Sequence, residues 1–301
     1  MDRATFITLA PPGTGALQAL LLARSIREFG GTVASEPIWA LIPDGGRRMS
    51  LKTVAEFDEV GVRLVPFAID PAIERIPFAV KAAAGAHAEA IVGTDLLVWL
   101  DPDTLIVGGA GEFLIDDDPA LGYRPVHHRL IGIDGDAPTN GVWQVVLDAC
   151  GVPEDRLFRM YTSIGERIKA YFNAGVFVVR PERGLLRAWH DALRTLAREP
   201  SLPPLFREEP LYETFLHQVV WTAVLLRQLE RSEMTELSPA VNYPLHLHDR
   251  IPAGRRAISL QRLVAVRTES LLLDPEWRER IPILGSLAPW LETQPLMRSV
   301  Q

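Results

Sequence analysis

The sequence predicts an α/β protein: a mixed, mostly parallel sheet flanked by helices, with an irregular C-terminal extension. Three observations carry this. Short apolar runs rich in β-formers alternate with segments of helical period as far as Val107. Those runs are apolar at successive positions, so both faces of their sheet must be covered, as happens when the strands are joined by helical crossovers. A chain of 301 residues with 48% hydrophobic content can also bury a full core.

The first strand is predicted at 5–10. Pro11-Pro12-Gly13-Thr14-Gly15 then turns the chain into a helix on which Leu22, Ile26 and Phe29 recur along one face, until Gly30-Gly31 end it. A second strand at 37–42 closes on Pro43-Asp44-Gly45-Gly46, and a helix at 51–60 leads to a third strand at 62–67. Pro77 suits the first turn of a helix, which is expected to run through Lys81 to about Ile91. The stretch 96–107 supplies the fourth strand. Beyond it, acidic loops at 116–119 and 134–140 surround a strand at 121–124. A strand at 171–179 carries a polar-small interruption, Asn173-Ala174-Gly175, and helices are expected at 181–198 and 211–229. The rest is rich in Pro and Arg, with short strands near Val241 and Leu263 and no internal repeat.

A net charge of −7 and a pI near 5.6 exclude a nucleic-acid or anionic-membrane surface spread over the whole protein. Any anionic ligand must therefore be held locally. Cys150 is the only cysteine, which rules out a disulfide framework and a thiolate metal cluster. The start of the sequence lacks a basic leader, and no run reaches the roughly 18 apolar residues of a membrane span. A soluble, cytoplasmic protein without an integral membrane segment is expected.

Aspartates two apart are weak evidence alone, since 17 aspartates in 301 residues give roughly one such pair by chance. Context separates the three pairs present. Asp116/Asp118 and Asp134/Asp136 lie in loop-like sequence, whereas Asp101/Asp103 end a buried-type strand and flank Pro102, which cannot extend a ladder. Ligands bind at the C-terminal ends of strands in open α/β sheets. Two carboxylates converging there suit Mg²⁺ or Mn²⁺, with positions left for phosphate oxygens and water. The plainer alternative is that both acids end the strand or cap the next turn.

Phe78-Ala79-Val80-Lys81, then the DXD-containing Val98-Trp99-Leu100-Asp101-Pro102-Asp103-Thr104, then Tyr171-Phe172-Asn173-Ala174-Gly175-Val176 follow one another at telling intervals. Their order and approximate spacing resemble those of the glycogenin-like nucleotide-sugar glycosyltransferases, glycosyltransferase family 8. The resemblance covers roughly residues 4–245, and Thr8-Leu9-Ala10 is similar to that family's nucleotide-binding strand. It implies a Rossmann-like GT-A fold: a nucleotide-sugar-binding catalytic domain at 1–245, and an extension at 246–301 packed on the same domain.

By that resemblance Asp101 and Asp103 would ligate a Mn²⁺ or Mg²⁺ ion bridging the diphosphate of a UDP-sugar, with a late histidine, His246 or His248, as third ligand. Lys81 would lie near the phosphates or the sugar; Asn173, Ala174 and Gly175 would line the donor-sugar pocket, and Thr8, Leu9 and Ala10 the nucleotide. His217-Gln218 stands where the family often carries Asp-Gln, and the family's tyrosine after the first strand has no counterpart in 11–16. The implied reaction is metal-dependent sugar transfer with retention, to a hydroxyl acceptor on a glycan, lipid or small molecule. Nucleic acid is not an expected partner, and a homo-oligomer is left open.

Each residue also has a plainer role: Lys81 as a helix-surface lysine, 173–175 as a bulge, and the two histidines as polar loop residues. Arg250, Arg255, Arg256, Arg262 and Arg267 form a basic stretch suited to diphosphate recognition or to a solvated face. Two other functions compete. Asp101-Pro102-Asp103-Thr104 also fits a haloacid-dehalogenase-like phosphatase, with Asp101 attacking phosphate and Asp103 as acid/base. The His217 departure fits a GT-A-like domain that binds without transferring.

Overall fold

A computed structural model describes residues 2–45, 48–281, 283–285 and 287–300. Along the chain come β1 (Ala4–Leu9), α1 (Thr14–Phe29), β2 (Ile38–Pro43), α2 (Leu51–Glu59), β3 (Val62–Phe67) and α3 (Val80–Ile91). Next are β4 (Leu96–Leu100), β5 (Thr104–Ile106), β6 (Leu121–Pro125), α4 (Gly141–Cys150), β7 (Arg159–Tyr161), β8 (Arg167–Lys169) and β9 (Phe172–Val179). Helices α5 (Leu185–Leu196), α6 (Leu202–Glu208) and α7 (Pro210–Gln228) precede β10 (Met234–Glu236), β11 (Tyr243–Pro244) and β12 (Ala265–Arg267). Short helices α8 (Trp277–Arg280), α9 (Leu287–Glu292) and α10 (Pro295–Val300) follow. The fold is mixed α/β, with a mainly parallel central sheet flanked by helices. Among the described residues no helix is long and apolar enough to cross a membrane.

The chain divides into two compact units: Met1–Pro66 with Val98–Leu114 and Leu237–Gln301, and Phe67–Leu97 with Ile115–Glu236. In the first, the strand order is β4-β1-β2-β3, and β1 runs parallel to β2 with Thr8 opposite Ala40. The predicted α1 stripe holds. Leu22 and Ile26 are buried, and Phe29 sets its ring edge-on against Trp290 of α9, centroids 5.1 Å apart. Ser50 caps α2 by accepting from the Thr53 N–H, which satisfies one of the first-turn donors.

A smaller sheet, β11-β12-β5, also lies in this unit. There β12 runs antiparallel to β5, with Arg267 opposite Thr104. Gly108 follows β5 where a Cβ would collide with the Leu263 carbonyl oxygen, so only glycine lets the two backbones approach. The Val107 N–H then donates to the Val264 carbonyl at 2.9 Å.

In the second unit β10 is parallel to β6, while β6 is antiparallel to β9, with an irregularity between Tyr123 and Pro125. The core gathers aromatic rings: Trp189 to Trp221 at 5.0 Å and Phe177 to Trp221 at 4.8 Å. A buried carboxylate joins α3 to α5. Glu89 accepts from the backbone N–H groups of Leu186 (2.9 Å) and Arg187 (3.0 Å) and from Arg187 Nε (3.0 Å), and so serves as the N-cap that α5's own sequence lacks.

Several predicted boundaries move. The helix expected from Pro77 starts at Val80 because Phe78 adopts a left-handed φ of 60°, which breaks the helical path. The expected helix at 181–198 opens as a 3₁₀ turn, Pro181–Arg183, and restarts after left-handed Gly184. The stretch 96–107 is two strands in two sheets, broken at Pro102. The short strands near Val241 and Leu263 are β11 and β12; α4, α6, the β7–β8 hairpin and β10 had no prediction. Gly46 of the expected turn lies outside the described residues.

Candidate functional site

All five residues of β4 are buried, so the strand delivers its C-terminal neighbours into a low-dielectric environment. Asp101 is 2% exposed. Its Oδ1 accepts from Trp99 Nε1 at 3.0 Å and its Oδ2 from Arg267 Nη1 at 2.6 Å. The Thr104 N–H donates to the Asp101 carbonyl at 3.0 Å and closes the Asp-Pro-Asp turn. Asp103 Oδ2 lies 2.8 Å from Arg267 Nε, an ion pair off hydrogen-bond alignment. Glu269 Oε1 stands 3.7 Å from the same nitrogen.

The register places the arginine there. With Arg267 opposite Thr104, the N–H and Oγ1 of Thr268 both donate to the Asp103 carbonyl, at 2.9 and 2.8 Å. The turn and the arginine are thus fastened by main-chain contacts. Burial alone would lower the Arg267 pKa, but Asp103, Asp101 and Glu269, with the hydrogen bond to Asp101, outweigh it and raise it above the ordinary arginine value. The guanidinium is charged throughout the working pH range.

The two histidines expected to supply a third ligand take different places: His246 neighbours Glu269, whose Oε1 also faces Arg267 Nε, and His248 is engaged with Tyr243. His248 is buried in a 3₁₀ stretch, Leu245–Arg250, with Nδ1 2.8 Å from the Tyr243 hydroxyl. That hydroxyl also accepts from the Ala257 N–H at 3.2 Å. Burial lowers the His248 pKa, partly offset by Asp249 and reinforced by Arg256, which favours the neutral ring. His246 Nε2 lies 4.0 Å from Glu269 Oε1. Among the described residues no three His, Cys, Asp or Glu side chains converge on one point. The donor set present does not fit a divalent cation: the positive charge on the carboxylates is Arg267.

Thr8 and Leu9 end β1, Ala10 follows it, and the buried Thr8 Oγ1 has no hydrogen-bond partner among the described residues. A buried hydroxyl left so is a polar group suited to a ligand. The basic stretch divides in two: Arg267 goes to the aspartates, while Arg255, Arg256 and Arg262 line a cavity of about 290 Å³ together with Tyr243.

In the second unit Lys81 is buried on the first turn of α3, its Nζ 5.4 Å from the Phe78 ring centroid. Phe78 in turn lies 5.3 Å from the His217 ring. The surface-lysine reading of Lys81 is corrected by that burial. His217 Nδ1 is 3.2 Å from the Thr214 carbonyl. The polar interruption in β9 is a backbone device. Gln218 Oε1 accepts from Ala174 N–H (3.0 Å), Asn173 Oδ1 from Gly175 N–H (2.7 Å) and Thr222 Oγ1 from Phe172 N–H (3.1 Å). The carbonyls of Asn173 and Gln218 thus satisfy strand donors.

The phosphatase reading loses its nucleophile. Asp101 is 2% exposed and both its oxygens accept strong hydrogen bonds, so neither is available for in-line attack. Sequence reasoning named Arg267 only as one of five arginines; nothing in their spacing separates it from the others.

A family model described as a Rhodobacterales glycosyltransferase domain matches residues 6–227. No curated protein matches the chain. Among solved structures, the apo structure of WbbM, a bifunctional glycosyltransferase, is similar with a TM-score of 0.58 at 10% identity, covering 99% of this chain and 51% of that one. The chain spans about half the length of that structure, and likeness at this identity carries the fold alone. These matches agree with the expected glycosyltransferase class and do not reach the glycogenin-like family.

Proposed function

Because the chain belongs to the family of Rhodobacterales glycosyltransferase domains, we propose that it moves a sugar from a nucleotide-diphosphate donor, a UDP-sugar by the resemblance of its motifs, to a hydroxyl acceptor. The observation that carries the donor site is the Asp101–Asp103 turn at the C-terminal end of β4, with Asp101 buried and both aspartates paired to Arg267. Strand ends of this kind are where α/β sheets hold ligands, and the orphaned Thr8 hydroxyl ends β1 of the same unit.

Departure of a nucleoside diphosphate concentrates negative charge on a phosphate oxygen, and a preorganised guanidinium answers that charge without a proton transfer. In the retaining form of the proposal, the bond from C1 to the diphosphate oxygen breaks and a bond from C1 to the acceptor oxygen forms on the same face. The acceptor's proton passes to the departing phosphate oxygen. The protein's work is then to position the acceptor and exclude water, so no general base is required of the chain. In the second unit, Lys81 over Phe78, with Asn173 and Gln218, are assigned to the donor sugar by resemblance.

The test is a panel of UDP-, GDP- and dTDP-linked sugars, with nucleotide release followed chromatographically and nucleotide binding by calorimetry. Release and binding of one nucleotide are expected. Neither binding nor release across the panel overturns the reading.

A further inference from the structure

We propose that Arg267 is a built-in cation that takes the place of a divalent metal on the Asp101–Asp103 pair, so that donor binding and sugar transfer in this chain proceed without metal. The proposal rests on the reading of that turn as the donor-diphosphate site. Its core is an occupied donor set: Arg267 Nη1 is 2.6 Å from Asp101 Oδ2 and Nε 2.8 Å from Asp103 Oδ2, the Trp99 indole fills Asp101 Oδ1, and no third ligand converges among the described residues. A metal entering here must first expel a guanidinium that is 15% exposed and already holds both carboxylates.

That expulsion is opposed by more than the side chain's own contacts. Residues 265–267 are locked to 104–106 by antiparallel pairing, and Thr268 ties the next residue to the Asp103 carbonyl twice. Swinging Arg267 away would leave the buried Asp101 carboxylate and the partly buried Asp103 carboxylate without their positive partner, which a protein interior penalises heavily. Lysine or histidine in the same place could release a metal site by losing a proton; an arginine does not.

The third guanidinium nitrogen, Nη2, makes no hydrogen bond to the described residues and can donate to a phosphate oxygen while Nη1 and Nε stay on the aspartates. Facing Asp101, Asp103 and Glu269 with a single positive charge, Arg267 leaves these four side chains net negative, where a divalent ion would neutralise both aspartates. Donor affinity must therefore come largely from the nucleoside and sugar.

The experiment uses the full chain and Mn²⁺ alone, read by electron paramagnetic resonance and calorimetry, beside nucleotide binding and turnover in EDTA. The wild type is expected to bind no Mn²⁺ at millimolar concentration, and its nucleotide affinity and turnover are expected to change less than twofold between EDTA and Mn²⁺. Arg267→Met is expected to gain a Mn²⁺ site that is lost again in Arg267→Met/Asp103→Asn. Stoichiometric Mn²⁺ binding by the wild type, or a tenfold loss of turnover in EDTA, overturns the proposal whether or not the variant folds. If no nucleotide binds at all while Mn²⁺ is still refused, the donor-site reading fails and the cation assignment stands.

Discussion

Removing the Arg267 guanidinium while keeping its bulk, as in Arg267→Met, isolates the charge at the end of β4. Asp101 is 2% exposed and Arg267 15%, so the pair belongs to the buried class. Breaking a buried pair from one side costs about 3–5 kcal/mol, against about 0–1 kcal/mol for an exposed one. Burial of Asp103 is less complete, 14% exposed, so the lower half of that range, about 3 kcal/mol, is expected for the single variant. The assay is urea denaturation followed by circular dichroism for the wild type, Arg267→Met, Asp103→Asn and the double variant. The double variant should recover about 1–2 kcal/mol of the loss, because one of the two stranded charges is gone. A loss under about 1 kcal/mol, with coupling below about 0.5 kcal/mol, would refute the reasoning, since the pair would then behave as a solvated bridge.

Four further outcomes follow from the same contacts. Glu89→Ala should lower unfolding free energy by about 2–3 kcal/mol, since two buried N–H groups at the start of α5 lose their acceptor, and Glu89→Gln should lose less; equal stability of Glu89→Ala in denaturant would exclude the cap. Gly108→Ala should cost about 2 kcal/mol and disturb β12, because the added Cβ meets the Leu263 carbonyl; a stabilised variant would show the close approach to be absent. Gln218→Ala should cost about 1–3 kcal/mol by leaving the Ala174 N–H unpaired, whereas a purely sugar-binding role would leave the melting temperature unchanged. His248 has its folded pKa lowered by burial. Its contribution is therefore full above the unfolded value of about 6.5 and is lost as pH falls through the folded pKa, so a melting-temperature decline below about pH 6.5 should shrink in His248→Gln.

Local chemistry was legible from the sequence. The alternation of apolar runs with helical stripes located β1 to β4 and α1 to α3 within a few residues, because periodicity and turn residues act over one element. The exceptions have particular causes. Phe78 takes a left-handed backbone that no helix-start signal foretells, and α5 is capped by Glu89, 97 residues from Leu186 in the chain, so its start carries no cap of its own. The Asn173-Ala174-Gly175 interruption has two readings in the sequence, the lining of a donor-sugar pocket by resemblance or a strand bulge. In the structure its N–H donors are met by the side-chain carbonyls of Asn173 and, from α7, Gln218.

By itself the sequence determined an α/β chain whose fourth, buried-type strand ends in two acids, since those features depend on residues within a few positions of one another. Only the tertiary structure decided what meets those acids. Arg267 lies 166 residues from Asp101, and it reaches the turn because β12 pairs with β5 in one register; a slip of one residue would send the guanidinium to the opposite face. Register between distant strands is set by packing and backbone hydrogen bonds across the whole unit. The identity of the cation on the Asp101–Asp103 pair is therefore a property of the fold.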